Sequence, residues 1–298
     1  MKRPVRWAGT WVVALAVFVA GCSTPAVSRR PVPGPAPAPE APRNRQYIAL
    51  PLAMDPGSLD PATATDEEAF AVLGNVLEGL VRLQPQGEPL PGVAVSWTVE
   101  KGVRYTFHLR PDARWSDGQP VTARDFQYAW LRALDPHTGA DYAYQFYAIQ
   151  GAEAFSTLST ADPDFEGKYK LLRASVAVDA PDDFTLQVTL ERPAAHWLAL
   201  TASPSYLPVR EDVVARYGRQ FGHGLSNLVY NGPFVVTWWE PDQKLVLRRN
   251  DQYWDAQHVR LEQADLVILP DSEIAVRRFD AGELDRAPLP VTLLARYP

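Results

Sequence analysis

Cysteine is almost missing from this chain: Cys22 is the single one in 298 residues. One thiol cannot close an internal disulfide, so a cysteine at that position calls for another use. Histidine is also sparse. His108, His137, His196, His223 and His258 lie far apart, and none pairs at the i,i+4 spacing of a helical zinc motif, so no metal site is expected. There is no excess of positive charge either, since 29 Lys and Arg face 35 Asp and Glu, for a net charge of −6. Neutralising a phosphate backbone requires a basic face, which excludes nucleic acid as the expected partner. The glycines of "FGHGLSN", Gly222 and Gly224, have no G-x-G-x-x-G continuation, and no P-loop sequence occurs, so no nucleotide or other cofactor is expected. No G-x-S-x-G elbow occurs. The neighbouring acids Glu67 and Glu68, or Asp182 and Asp183, could be drawn as a glycosidase pair, but such neighbours at a helix start or a turn are usually solvated.

What is present begins at the N-terminus. Lys2, Arg3 and Arg6 precede an apolar run from Trp11 to Ala20, too short to span a bilayer, which reads as an export signal over residues 1–21. Its end, Val19-Ala20-Gly21-Cys22, resembles the lipobox of bacterial lipoproteins, in which the cysteine is acylated. That resemblance implies a protein exported and held at the cell membrane through lipid on Cys22, facing the periplasm or the cell exterior. Loss of the signal removes three positive charges and leaves −9. Residues 22–46, in which Pro alternates with Ala, Gly and Glu, read as an extended, semi-rigid tether.

From Tyr47 onward the patterning is that of a folded, mixed α/β chain long enough for two lobes with their own cores. Tyr47–Ala53 reads as a strand ending at the turn residues Asp55, Pro56 and Gly57. Thr65 and Glu68 have capping-box spacing ahead of a helix carrying Phe70, Leu73, Leu77 and Leu80. Val103, Tyr105, Phe107 and Leu109 alternate with polar residues, as do Phe184, Leu186, Val188 and Leu190. Lys244–Arg249 and Ala264–Pro270 read as further strands, and Ala194–Leu200, Glu211–Tyr217 and Glu273–Ala281 as helices. In "WSDGQPVTARDFQYAW", Ser116, Asp117 and Gly118 make a turn, Thr122 caps a helix with Asp125 at its third position, and Phe126, Ala129, Trp130, Ala133 and Leu134 form an apolar face. Every residue of that segment has a structural task. Trp238 and Trp239 could offer a stacking platform, but consecutive strand residues face opposite ways, so at most one can meet a ligand.

The stretches "DPGSLDP", "LEGLVR", "PGVAVSWTVEKGVRYTFHLRPDARWSDGQPVTARDFQYAW", "YNGPF" and "RNDQYWD" together resemble the extracellular solute-binding proteins of family 5, the oligopeptide-binding lipoproteins of ABC importers. The resemblance implies the first lobe of a periplasmic-binding-protein type II-like clamp, split over residues 47–79 and 203–298, with a small domain inserted over 80–202. It implies an oligopeptide ligand, held largely through its backbone and terminal charges and delivered to ABC permease subunits, with no bond made or broken. Ligand contacts would fall on Thr65, Asp66 and Glu67, whose main chain would pair with the peptide, on Tyr142 in "DPHTGADYAYQF", and on Asn231 in "YNGPF". In the family, the stretch like "FDAGELDRAPLP" is followed by a long second lobe, whereas this sequence stops at Pro298, so half a clamp is expected. If two charge-assisted hydrogen bonds at about 1.5–3 kcal/mol each go with the second lobe, affinity falls by roughly 10² to 10⁴.

Two other readings are set beside this one. A truncated, non-transporting surface lipoprotein acting in protein interaction, or a relic, would expose an apolar docking face. A cell-surface hydrolase would need a converging nucleophile and base, or two facing carboxylates, and the sequence offers neither. Within the transport reading, a dipeptide, a sugar or a metal chelate remains open as the ligand.

Overall fold

A computed structural model describes residues 46–297. The export signal, Cys22 and the tether up to Arg45 lie outside the described residues. Ten strands are described: β1 (Tyr47–Leu52), β2 (Val81–Leu83), β3 (Pro89–Pro91), β4 (Ala94–Glu100), β5 (Arg104–Leu109), β6 (Val178–Asp182), β7 (Thr185–Thr189), β8 (Phe234–Glu240), β9 (Lys244–Arg249) and β10 (Gln263–Ile268). The helices are α1 (Glu67–Val76), α2 (Ala123–Ala133), α3 (Ala152–Ser156), α4 (Phe165–Ser175), α5 (Trp197–Leu200), α6 (Glu211–Tyr217) and α7 (Ser272–Asp280). One four-stranded sheet runs β1-β10-β9-β8, with β1 parallel to β10 and the other pairs antiparallel. A second runs β4-β5-β7-β6, all antiparallel, and β2 with β3 forms a short hairpin.

The alternating strands behave as their period dictates. Tyr105, Phe107 and Leu109 of β5 and Leu186 and Val188 of β7 are buried, whereas Arg104 and His108 are exposed. Trp130 of α2 is fully buried, its indole N–H donating to the Tyr206 carbonyl at 2.9 Å and its ring meeting Tyr206 edge-on at 5.0 Å. Leu245, Leu247, Leu266 and Ile268 of the first sheet belong to the same continuous core. The opposite face of that sheet carries a small separate cluster of Ala49, Ala275 and Leu284.

The "WSDG" turn is tied down as scaffold. Gly118 takes φ +88°, a left-handed conformation suited to glycine, and Ser116 exchanges two hydrogen bonds with Tyr230, at 2.6 and 3.1 Å. Asp125 closes the capping box expected at α2: its Oδ2 accepts the Thr122 amide at 2.8 Å and the Trp115 indole N–H at 3.2 Å. Burial nonetheless raises the Asp125 carboxyl above the usual aspartate range, these hydrogen bonds opposing the shift.

Helix α1 departs from its sequence reading at both ends. Its N-cap is Asp66, not Thr65: Oδ1 accepts the Ala69 amide at 2.7 Å, while Oδ2 takes the Gly57 amide at 3.1 Å, so one carboxylate caps the helix and fixes the preceding loop. The helix stops at Val76, leaving Leu77 and Leu80 outside it. The cause is tertiary, because Asn231 accepts the Glu78 amide at 3.0 Å and donates to the Glu78 carbonyl at 2.9 Å, occupying groups that another helical turn would need. The buried face is Ala69, Val72, Leu73 and Val76, and Phe70 turns to the side. Helix α4 carries no fully buried residue, which explains why no clear apolar stripe marks it in the sequence. Helix α5 begins at Trp197 rather than Ala194, after Pro193.

Candidate functional site: an open cleft beside helix α1

A cleft of about 680 Å³ is walled by the loop before α1, the end of α2 with the loop after it, and the segment following α6. Asp60 of "SLDP", which is 3 % exposed, forms part of its wall. Both carboxylate oxygens of Asp60 are met by the guanidinium of Arg132, in the last turn of α2, at 2.8 and 2.6 Å. This two-pronged pair joins elements 72 residues apart, and a buried charge needs such a partner. Arg132 also faces the ring of Phe221 at 5.7 Å. The chain beside Phe221 approaches so closely that a Cβ on Gly222, at φ +81°, would come within 2.5 Å of the Asp60 amide nitrogen. The glycine of "FGHG" therefore serves close packing of backbone on backbone.

Thr65 and Asp66 line this cleft. Thr65 is exposed, and its carbonyl accepts the Tyr142 hydroxyl at 3.4 Å. The Tyr142 ring rests between Phe70, at 5.7 Å, and Tyr144, at 6.0 Å, and Tyr144 is 58 % exposed. Glu67 stands exposed in the first turn of α1. Four of the five residues expected from the resemblance are thus gathered at one end of α1. Asn231 is not with them: it is 3 % exposed, and its carboxamide is engaged at both ends by the Glu78 backbone.

Asn231 belongs to a second cluster, where the other strong motifs meet. Glu78 of "LEGLVR" is 5 % exposed, and its carboxylate accepts the Tyr253 hydroxyl and the Trp254 indole N–H, both at 2.6 Å. Arg110 brings its guanidinium carbon to 3.1 Å from the Trp254 ring centroid. Asn250 donates to the Gly232 carbonyl at 2.9 Å, and a Cβ on Gly232 would lie 2.6 Å from the Val76 carbonyl carbon. Burial raises the Glu78 carboxyl above the usual glutamate range, although the Tyr253 and Trp254 hydrogen bonds and the charges of Arg82 and Arg110 pull the other way. "LEGLVR", "YNGPF" and "RNDQYWD" thus act as one internal clasp.

Trp239 donates its indole N–H to Asp55 at 3.1 Å, whereas the buried indole nitrogen of Trp238 has no partner among the described residues, so the two side chains meet different surroundings. Sequence reasoning missed Asp60, Arg132, Arg219 and Phe221 as parts of the cleft. Asp60 next to Pro61 reads as a turn and Arg132 as a complement to a helix C-terminus, so neither announces the other. Among the described residues, no group of three or more His, Cys, Asp or Glu is arranged to hold a metal, and no helix is long and apolar enough to cross a membrane.

This mixed α/β scaffold matches about half of the architecture of periplasmic binding proteins of type II. The family model described as "Bacterial extracellular solute-binding proteins, family 5 Middle" matches residues 88–297, and the chain belongs to that family. It is 38% identical over 250 residues to the oligopeptide-binding protein OppA of Bacillus subtilis, covering 84% of this chain and 44% of that protein. Identity is also 38% over 232 residues to the probable deoxycholate-binding periplasmic protein YgiS of Escherichia coli, covering 78% of this chain and 42% of that protein. The structure of Listeria monocytogenes OppA bound to peptide superposes with a TM-score of 0.76 at 32% identity, over 84% of this chain and 48% of that one. The chain spans less than half the length of these relatives.

Proposed function

We propose that this chain captures oligopeptides outside the cytoplasm and presents them to the membrane subunits of an ABC importer, making and breaking no bond. Residues 47–79 and 203–298 form the first lobe and residues 80–202 the domain inserted in it. Thr65, Asp66 and Glu67 offer main chain to the peptide as an added strand, with Tyr142 holding that segment from the side, while Asn231 acts indirectly by fixing the end of α1. Cys22, once acylated, keeps the protein at the membrane. The observation that carries the reading is an open cleft lined by Thr65 and Asp66, with Tyr142 hydrogen-bonded to the Thr65 carbonyl beside it, in a chain of this family. Titration of the chain with tripeptides, followed by chemical-shift changes, is expected to show saturable binding with a dissociation constant of about 1 mM or weaker, in line with a partial enclosure of the ligand. Absence of any saturable shift would remove peptide as the ligand. Cys22→Ser is expected to move the protein from the membrane fraction to the soluble one, and unchanged fractionation would remove the lipid anchor.

A further inference from the structure

The charged groups lining the cleft are unequally engaged. Its two carboxylates are both held inside the fold, Asp60 by the guanidinium of Arg132 and Asp66 by the amides of Ala69 and Gly57. Two of the remaining groups able to carry positive charge, Arg219 and His223, are not. Arg219, exposed just after α6, lines the cleft and makes no ion pair or side-chain hydrogen bond among the described residues. The imidazole of His223 is likewise without a partner there.

His137, from the loop after α2, is held in place. Its Nδ1 lies 3.0 Å from Asp135, which also accepts the Tyr169 hydroxyl at 2.6 Å, and its ring stands edge-on to Phe165 at 5.1 Å and Tyr169 at 5.4 Å. With Nδ1 directed at that carboxylate, Nε2 is the ring nitrogen left for another contact. The Thr65 and Thr138 hydroxyls, two further donors on the lining, make no side-chain hydrogen bond among the described residues. The cleft lining thus keeps a guanidinium, an imidazole and two hydroxyls unengaged, in a chain whose net charge is −6.

We propose that this side of the cleft receives an acidic side chain of the bound peptide, with Arg219 supplying the charge and His137 and His223 flanking it. The proposal rests on the peptide-capture reading and gives it a preference for peptides containing Asp or Glu.

The test titrates the full chain at low salt with three trialanine variants carrying Glu at the first, second or third position, each against its Gln counterpart. At least one Glu peptide is expected to bind about tenfold more tightly than its Gln partner, the scale of one charge-assisted hydrogen bond. That preference should vanish in Arg219→Gln and persist in Arg216→Gln, which removes an exposed charge outside the cleft lining. Equal binding of Glu and Gln peptides would overturn the inference and leave peptide capture standing, as would a preference that survives Arg219→Gln. Failure of all six peptides to bind would overturn both.

Discussion

Two buried carboxylates organise this molecule, and they are satisfied in opposite ways. Asp60 is met by a full positive charge, the forked guanidinium of Arg132. Glu78 is met mainly by neutral donors, the Tyr253 hydroxyl and the Trp254 indole, with Arg82 3.7 Å away. Asp60 sits on the wall of the cleft and joins three segments there, whereas Glu78 sits in the clasp behind α1. The comparison separates strength from tolerance. An ion pair in the wall fixes geometry but fails badly when one partner goes, and a carboxylate among neutral donors can accept a proton with less damage.

The largest expected effect lies on the Asp60 side. Arg132→Met leaves a buried charge unpaired and is expected to cost about 3–5 kcal/mol in chemical denaturation. The double variant Asp60→Asn with Arg132→Met should be milder than Arg132→Met alone, and equal or greater loss in the double variant would show that the pair matters for packing rather than charge. Next comes Gly222→Ala, where a Cβ 2.5 Å from the Asp60 amide and a positive φ together should cost about 2–3 kcal/mol. A stability change within about 0.5 kcal/mol would mean that the two loops separate easily.

Glu78→Gln keeps the shape but turns an amide N–H toward a donor, and about 1–3 kcal/mol is expected to be lost near neutral pH. Its pH dependence distinguishes the two acids more sharply. Because the folded Glu78 carboxyl is raised above its unfolded value, its contribution is full below the ordinary glutamate range and declines as pH rises through the raised value. The stability difference between wild type and Glu78→Gln should therefore shrink as pH rises through that window. A difference that grows with pH would reverse the assignment of burial as the dominant cause. The smallest effect is expected at Tyr142→Phe, which removes one long hydrogen bond at a partly exposed position. Stability should move by less than about 0.5 kcal/mol, and any larger loss would make the Thr65 segment part of the structural clasp.

Elements whose burial is one-sided were readable along the chain. Strands β5 and β7 coincide closely with their periodicity, because one face of each meets the core and the other is more exposed. The C-terminal end of α1 was not readable, since it is decided by an asparagine 153 residues further on. Helix α4 was not readable either, because little of it is buried. The meeting of Tyr142 with Thr65 beside the cleft was expected from the family resemblance alone and had no local signature. The Asp60–Arg132 pair and the approach of Gly222 depend on contacts between distant segments, which no single window of sequence contains.

The parallel pairing of β1 with β10 sets the order in which this chain can be completed. Tyr47 stands opposite Gln263, so the first strand made waits for a partner that follows more than two hundred residues later. Closing so long a loop slows folding, yet each doubling of its length adds only about 0.6 kcal/mol of chain entropy. The second sheet and its helices therefore fit between those two strands at little thermodynamic penalty, and the first sheet cannot close until β10 has been made.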